Sequence, residues 1–177
     1  MPTKISKRLV IDASVARSCG NENATFPTSK HCRDFLQEVL RICHRAVMTP
    51  EIKTEWDKHQ SSFARKWKAS MVAKKKLEYL SAISIDRTLR NRIDSAAESD
   101  KEREAMWKDI LLIEAALMTD KIVVSIDEKA RKPFSKAAAK VSELQAISWL
   151  NPDKLEETPL EWLAAGAKVE KKRLLGQ

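Results

Sequence analysis

The chain contains few glycines and few cysteines, and both shortages exclude kinds of site. Three glycines in 177 residues leave no glycine-rich loop, and neither GxGxxG nor GxxxxGK[ST] occurs. A phosphate-binding loop of the usual dinucleotide or nucleotide type is therefore excluded. The cysteines, Cys19, Cys32 and Cys43, are odd in number and form no CxxC. We expect reduced thiols within the fold, with neither a zinc site nor a disulfide framework.

The sequence also lacks a segment that predicts export or membrane insertion. Basic residues precede the first apolar stretch, but Asp12 interrupts it too early for a signal peptide. The most apolar later segment, residues 110–126, contains Glu114, Asp120 and Lys121, which a transmembrane helix would not carry. We therefore expect a cytoplasmic protein that has no membrane partner.

Charge is abundant and has one predominant sign. Charged residues make up 33% of the chain, and the formal net charge is +8. A strongly cationic surface favours a polyanionic partner such as nucleic acid, with an anionic membrane surface as the alternative. Net charge describes association and says nothing about fold.

The pattern of strands and helices predicts a three-layer α/β/α sandwich with a central, mostly parallel sheet. Short aliphatic runs mark the strands, which we place at residues 9–11, 45–48, 121–126 and 146–150. Apolar spacing and capping residues place helices from 28 or 29 to 43, from 50, and at 61–80, 87–97 and 99–118, within 128–140, and from 159. We divide the chain into a domain over residues 1–152 and a C-terminal helical extension over residues 153–177.

Two acidic residues follow buried strands directly. Asp12 comes after Leu9-Val-Ile11, and Asp127 comes after the apolar run that ends at Ile126. The carboxyl ends of parallel strands are where open α/β sheets place their ligands. A buried carboxylate costs free energy unless its charge is compensated, and a metal ion is the usual compensation.

Two further acids lie on helix faces that the sequence predicts to be buried. Glu55 shares a face with Ile52 and Trp56, and Asp109 shares a face with Leu112. Four inward carboxylates form an oxygen-only ligand set, which suits Mg²⁺ or Mn²⁺ and not zinc. Without a metal ion the four charges would repel one another and their pKa values would rise. With one, the site could activate a water for phosphodiester cleavage.

Four short motifs carry these acids, and their order and approximate spacing resemble those of the PIN-domain family of metal-dependent ribonucleases. The motifs are Val10-Ile-Asp-Ala-Ser-Val15, Thr49-Pro50 leading to Glu55, Lys108-Asp-Ile-Leu-Leu-Ile-Glu-Ala-Ala-Leu117 and Val123-Val-Ser-Ile-Asp127. Ile147-Ser-Trp-Leu-Asn-Pro152 is similar to the family's final strand. The resemblance covers residues 8–152.

The resemblance implies a PIN-like sandwich in which the acids converge at one sheet edge to hold Mg²⁺ or Mn²⁺. It implies endonucleolytic cleavage of RNA by a metal-activated water. The implied metal ligands and catalytic residues are Asp12, Glu55, Asp109 and Asp127. Ser14 and Ser125 match positions where the family often has a hydroxyl near the acids.

Many small bacterial and archaeal members of that family are toxins of toxin–antitoxin pairs. The resemblance therefore adds an antitoxin-like protein inhibitor and a homodimer to the expected partners, beside the RNA substrate. The chain departs from the compact toxin pattern in its long basic stretch at residues 58–76 and in the helix that follows Pro152. Because the family usually places its third acid near a helix start, we also expect the helix over 99–118 to break near Trp107.

Several residues have a second interpretation. Asp12 and Asp127 could simply cap the turn or helix that follows them, and Glu51 lies on nearly the same side of its helix as Glu55. Glu114 lies in a helix that is apolar nearly all round, so its orientation is undecided, and its second interpretation is a surface salt bridge to Lys108 or Lys121. The predicted basic helix offers phosphate contacts or an ordinary solvated face through Arg65, Lys66, Lys68, Lys74 and Lys75. The alternative function is a catalytically inactive PIN-like module that binds RNA or protein.

Overall fold

A five-stranded parallel sheet runs through the centre of the computed structural model, which describes residues 5–177. The strands are Arg8–Ile11 (β1), Arg45–Met48 (β2), Leu77–Tyr79 (β3), Ile122–Val124 (β4) and Ser148–Leu150 (β5). Their order is β3-β2-β1-β4-β5, and every neighbouring pair is parallel. β1 and β4 are buried throughout or nearly so because helices cover both faces of the sheet. The predicted sandwich is confirmed.

Nine helices in residues 5–177 form the two outer layers. They are Ala13–Ser18 (α1), Pro27–Arg41 (α2), Pro50–His59 (α3), Ser62–Ala73 (α4), Arg87–Ala96 (α5), Asp100–Leu117 (α6), Glu128–Ala137 (α7), Ser142–Gln145 (α8) and Pro159–Ala164 (α9). α1 contacts α2 and α3, and α2 contacts α4, whereas α7 contacts α5, α6 and α8. Right-handed crossovers place these two groups on opposite faces, since the chain reverses its direction across the sheet after β3. Within this part of the chain, no helix is long and apolar enough to span a bilayer.

The prediction of a helix over residues 61–80 is wrong after Ala73. α4 ends at Ala73, and β3 follows. Lys75 has a φ of 55°, a left-handed conformation that ends the helix. The ammonium group of Lys76 donates to carbonyl oxygens at the C-terminal end of α2, where the helix dipole favours a cation. In a longer helix, Lys76 would be a solvated charge. Here its contacts fix the start of β3, which is an edge strand.

The expected break near Trp107 is also wrong, because α6 is continuous from Asp100 to Leu117. This helix contains neither glycine nor proline, so nothing in its backbone chemistry ends it early. α2 begins at Pro27, one or two residues before the predicted cap. α1, which follows Asp12 directly, was not predicted.

The C-terminal extension packs on the domain. α9 contacts α2, and Trp162 and Leu163 are buried. The amide of Leu175 donates to the carbonyl oxygen of Ile147 at 3.0 Å, which ties the end of the chain to the segment before β5. Residues 153–177 therefore share the core of the domain.

A buried ion pair joins α5 to α6. The guanidinium of Arg90 donates to both oxygens of Glu114, at 2.6 Å and 2.7 Å. The Glu114 side chain is 2% exposed, so the predicted surface pairing with Lys108 or Lys121 is wrong. The pKa of Arg90 is raised by its hydrogen bonds to Glu114. The charge of the Glu114 carboxylate depends on the Arg90 guanidinium, because burial leaves no water that could stabilise this charge instead.

We expect Arg90→Ala to lower the free energy of unfolding by about 3 kcal/mol, because it leaves the Glu114 carboxylate buried and unpaired. Urea denaturation at pH 7 measures the change. Arg87→Ala is the matched control, since Arg87 begins the same helix but is exposed and forms no ion pair with the described residues. Equal stability of the two variants would show that the pair contributes nothing.

Candidate functional site

The sheet order brings two of the predicted acids together. The chain leaves β1 toward β2 on one side, whereas β4 lies on the other side of β1. The carboxyl edge between β1 and β4 is therefore the topological switch point, where open α/β sheets bind ligands. Asp12 follows β1 directly, and Asp127 follows β4 after two residues. Both acids lie at this edge.

A cavity of about 360 Å³ lies at the same edge, between α1, α3 and α6. Five carboxylates line it: Asp12, Glu51, Glu55, Asp109 and Asp127. The cationic or titratable side chains in its lining are those of Arg17, His59 and Lys108. All four predicted acids thus reach one cavity, although they come from distant parts of the sequence.

Two hydroxyl groups hold the carboxylate of Asp12. Ser14 Oγ and Ser125 Oγ both donate to Asp12 Oδ2, at 2.5 Å and 2.9 Å. Ser125 Oγ also accepts from the amide of Asp127 at 3.0 Å, so one hydroxyl contacts the segments of both strand-end acids. The structure places both predicted serines beside the acids. Asp12 Oδ1 accepts no hydrogen bond from residues 5–177 and is available to a ligand.

Asp127 also caps a helix, as its second interpretation predicted. Its Oδ1 accepts from the amides of Lys129 and Ala130, at 2.9 Å and 3.2 Å, at the start of α7. Asp12 is the residue before α1 but makes no such cap. The cap fixes Asp127 by one oxygen, and its Oδ2 accepts no hydrogen bond from the part of the chain that the structure describes.

The carboxylate of Asp109 lies in an unfavourable electrostatic environment. It lies in the middle of α6, and its Oδ2 is buried without a hydrogen-bond partner among the described residues. Burial, with smaller contributions from the nearby charges of Asp12 and Asp127, raises the pKa of Asp109 to about 8, while Lys108 opposes the rise. The positive charge near Asp109 is therefore too small to offset its burial and the two neighbouring carboxylates.

Glu55 is not on a buried face, so the prediction of an inward carboxylate is wrong there. α3 buries Ile52 and Trp56, and the indole of Trp56 donates to the carbonyl oxygen of Ile11 at 2.9 Å. This contact fixes the rotation of the helix. Glu55 is left 53% exposed at the cavity wall, within 3.2 Å of Lys58 Nζ and 3.5 Å of His59 Nε2. It lines the cavity from the solvent side.

Four charged or titratable cavity residues were not predicted to belong to the site: Glu51, Arg17, Lys108 and His59. Glu51 was weighed only as an alternative to Glu55, and it forms no ion pair with the described residues. Arg17 belongs to α1, which was not predicted; its position one turn after Ala13 would have placed it beside Asp12. Lys108 precedes Asp109 in the richest motif and was considered only as a partner of Glu114.

The predicted basic surface is partly neutralised. Lys66 pairs with Glu22 at 2.7 Å, and Lys68 pairs with Asp57 at 2.6 Å. Arg65, Lys74 and Lys75 are exposed and form no ion pair within residues 5–177. Three of the five predicted phosphate contacts are therefore free to meet a polyanion.

The cysteines and two of the histidines lie away from the cavity lining. All three cysteines are free thiols, and burial raises the pKa of Cys19 to about 12, which keeps it protonated. His44 is buried between the amide of Lys7 and the carbonyl oxygen of Leu163. Burial lowers the pKa of His44, so it stays neutral at pH 7. His31 contacts Asp153.

The oxygen donors of these acids are the type that a hard metal ion prefers. Their present positions do not form a complete set of ligands for one. Within residues 5–177, no three His, Cys, Asp or Glu side chains are arranged so that they could hold a metal ion. Carboxylates that share a cavity without a cation repel one another. In Asp12 and Asp127 one oxygen is fixed by the protein and the other accepts no hydrogen bond from it. With the buried, unpartnered oxygen of Asp109, these are the hard donors that Mg²⁺ and Mn²⁺ prefer.

Comparison with known proteins adds no assignment. No protein-family model matches the chain, and no curated protein matches it significantly. The resemblance to the PIN-domain family stays a prediction from the four motifs.

The raised pKa of Asp109 predicts how stability changes with pH in the metal-free protein. Between the ordinary pKa of 3.8 and the folded value of about 8, the folded state binds more protons than the unfolded state. Stability should therefore fall as pH rises through this window. Asp109→Asn removes the titration and should be more stable than the parent at pH 9 by roughly 2 kcal/mol or more, and equal to it near pH 4.

Thermal and urea unfolding in EDTA, from pH 4 to pH 9, measure this difference. Glu104→Gln is the control, because Glu104 lies on the exposed side of the same helix and forms no ion pair with the described residues. A constant difference between Asp109→Asn and the parent across this range would contradict the raised pKa.

Proposed function

We propose that the chain is a metal-dependent endoribonuclease that hydrolyses phosphodiester bonds of RNA with a metal-activated water. The observation that carries the proposal is the convergence of Asp12, Asp109 and Asp127, from two strand ends and one helix, on a single cavity at the switch point. A fold gains no stability from gathering carboxylates around an unpartnered buried oxygen. A bound cation gives this arrangement a physical reason.

Each residue has a role that follows from its contacts. Asp12 and Asp127 would hold the ion from the sheet edge, each with the oxygen that accepts no hydrogen bond from residues 5–177. Ser14 and Ser125 fix the carboxylate of Asp12, and Asp109 would contribute a carboxylate from α6. When bound, the metal ion supplies an activated water and charge stabilisation of the leaving oxygen. No side chain needs to act as a nucleophile.

The fourth ligand position is open to two residues. The resemblance implies Glu55, but this side chain already contacts Lys58 and His59. Glu51 lines the same wall and forms no ion pair with the described residues. We assign the fourth carboxylate to α3 and expect Glu51→Gln to lower activity at least as much as Glu55→Gln.

Substrate, location and partners belong to the same proposal. The net charge of +8 favours a polyanionic substrate, and RNA is the one that the resemblance implies. Three free thiols agree with a reducing, cytoplasmic environment. A toxin role with an antitoxin-like inhibitor, and a homodimer, are supported by the resemblance alone.

A catalytically inactive RNA-binding or protein-interaction module is the second candidate. The observation that favours it is the lack, within residues 5–177, of three side chains arranged to hold a metal ion. The buried and unpartnered Asp109 Oδ2 weighs against it, since an inactive module would be more stable with a neutral residue there.

Cleavage of a mixed RNA pool tests the proposal. We expect products with Mn²⁺ or Mg²⁺ and none with EDTA. Asp12→Asn should lower the rate on the order of 100-fold or more without unfolding the protein, because it keeps the shape and removes the charge that a cation needs. Ser125→Ala should lower it by about 10-fold through the orientation of Asp12.

Glu104→Gln is the control and should cleave like the parent protein. Circular dichroism confirms that each variant is folded. Full activity of folded Asp12→Asn would contradict the proposed site. Salt-dependent binding of structured and single-stranded RNA without any cleavage would favour the inactive module instead.

A further inference from the structure

Two cations at the cavity have no counter-charge. Arg17 lies in the last turn of α1, and Lys108 lies on α6 directly before Asp109. Both are exposed, both line the cavity, and the side chain of neither forms an ion pair or hydrogen bond with residues 5–177. They approach the acids from two different walls.

Their lack of partners is notable because carboxylates are close at hand. On the neighbouring α3, Lys53 pairs with Asp57 at 2.5 Å and Lys58 pairs with Glu55 at 3.2 Å. Lys108 is near enough to Asp109 to lower its pKa, yet its ammonium is directed to no carboxylate.

A polyanion that enters this cavity needs the positive charges of both Arg17 and Lys108. The five carboxylates of the lining repel phosphate, and a bound cation would offset only part of this repulsion. A free guanidinium presents a planar fork that matches two phosphate oxygens, and an ammonium acts as a point charge on one. One such group on each side of the acids suits a backbone that passes over them.

We infer that Arg17 and Lys108 bind phosphate groups of the RNA backbone on either side of the acids and position the scissile phosphodiester between them. Arg17 makes the bidentate contact, and Lys108 makes a charge contact from α6. They are positioning residues and touch no metal ion. The inference rests on the proposed function, and it assigns the substrate contacts to the cavity rather than to the predicted basic residues between Arg65 and Lys75.

The test compares Arg17→Ala, Arg17→Lys and Lys108→Ala with two controls, Lys30→Ala and Lys101→Ala. Lys30 and Lys101 are exposed and form no ion pair with the described residues, and Lys101 lies on the same helix as Lys108. Cleavage of a fluorescent RNA with Mn²⁺ is measured at several salt concentrations. RNA binding is measured by anisotropy in the Asp12→Asn background without metal, where cleavage does not interfere.

Each alanine variant should lower kcat/KM roughly 10-fold or more and weaken RNA binding, while the controls stay at the parent values. The slope of log affinity against log salt should become less steep by about 0.7 for each removed cation. Arg17→Lys should restore the salt slope but only part of kcat/KM, because the charge returns without the fork. Melting temperatures and Mn²⁺ affinity should stay unchanged, which a purely structural role would not predict.

Failure of the inference and failure of the proposed function give different results. If the parent cleaves RNA and both alanine variants match the controls, the phosphate contacts are wrong and the nuclease stands. If the parent cleaves nothing but the alanine variants still bind RNA more weakly than the controls, the contacts stand and catalysis is wrong. If the variants lose Mn²⁺ affinity together with activity, the two residues act on the metal site, and the inference is overturned.

Discussion

Several carboxylates cluster at the carboxyl edge of the sheet between β1 and β4. This cluster is the constraint on which the rest of the structure depends. The sheet order makes Asp12 and Asp127 neighbours. α6 adds Asp109, whose Oδ2 is buried without a hydrogen-bond partner in residues 5–177. Such a cluster costs free energy in the folded chain. The large apolar core on both sides of the sheet supplies the stability that allows the protein to keep it.

Each strand-end acid is held by one carboxylate oxygen, and the other oxygen accepts no hydrogen bond from the described residues. Hydroxyls of Ser14 and Ser125 hold Asp12, and backbone amides at the start of α7 hold Asp127. This division reconciles the two interpretations of an acid after a strand, because a helix cap occupies only half of a carboxylate. The same residue can therefore stabilise α7 and still present an oxygen to a ligand.

The fold class and the convergence of the acids could be predicted from sequence because they depend on local patterns. Aliphatic runs define the strands, and a parallel sheet brings their ends together. The rotation of α3 could not be predicted, since it is fixed by the contact between Trp56 and the backbone of β1, and it exposes Glu55. The end of α4 also escaped prediction, because a long-range contact of Lys76 with α2 decides it. Arg17 was missed together with α1.

The most direct test of the central claim is the anomalous diffraction of crystals soaked in Mn²⁺. We predict a single strong anomalous peak in the cavity at the switch point, with oxygens of Asp12, Asp109 and Asp127 among its ligands. In crystals of Asp12→Asn this peak should be lost or much weaker. A cavity that stays empty at millimolar Mn²⁺ in the parent protein, with the three carboxylates in their present contacts, would contradict the claim that these acids exist to hold a metal ion.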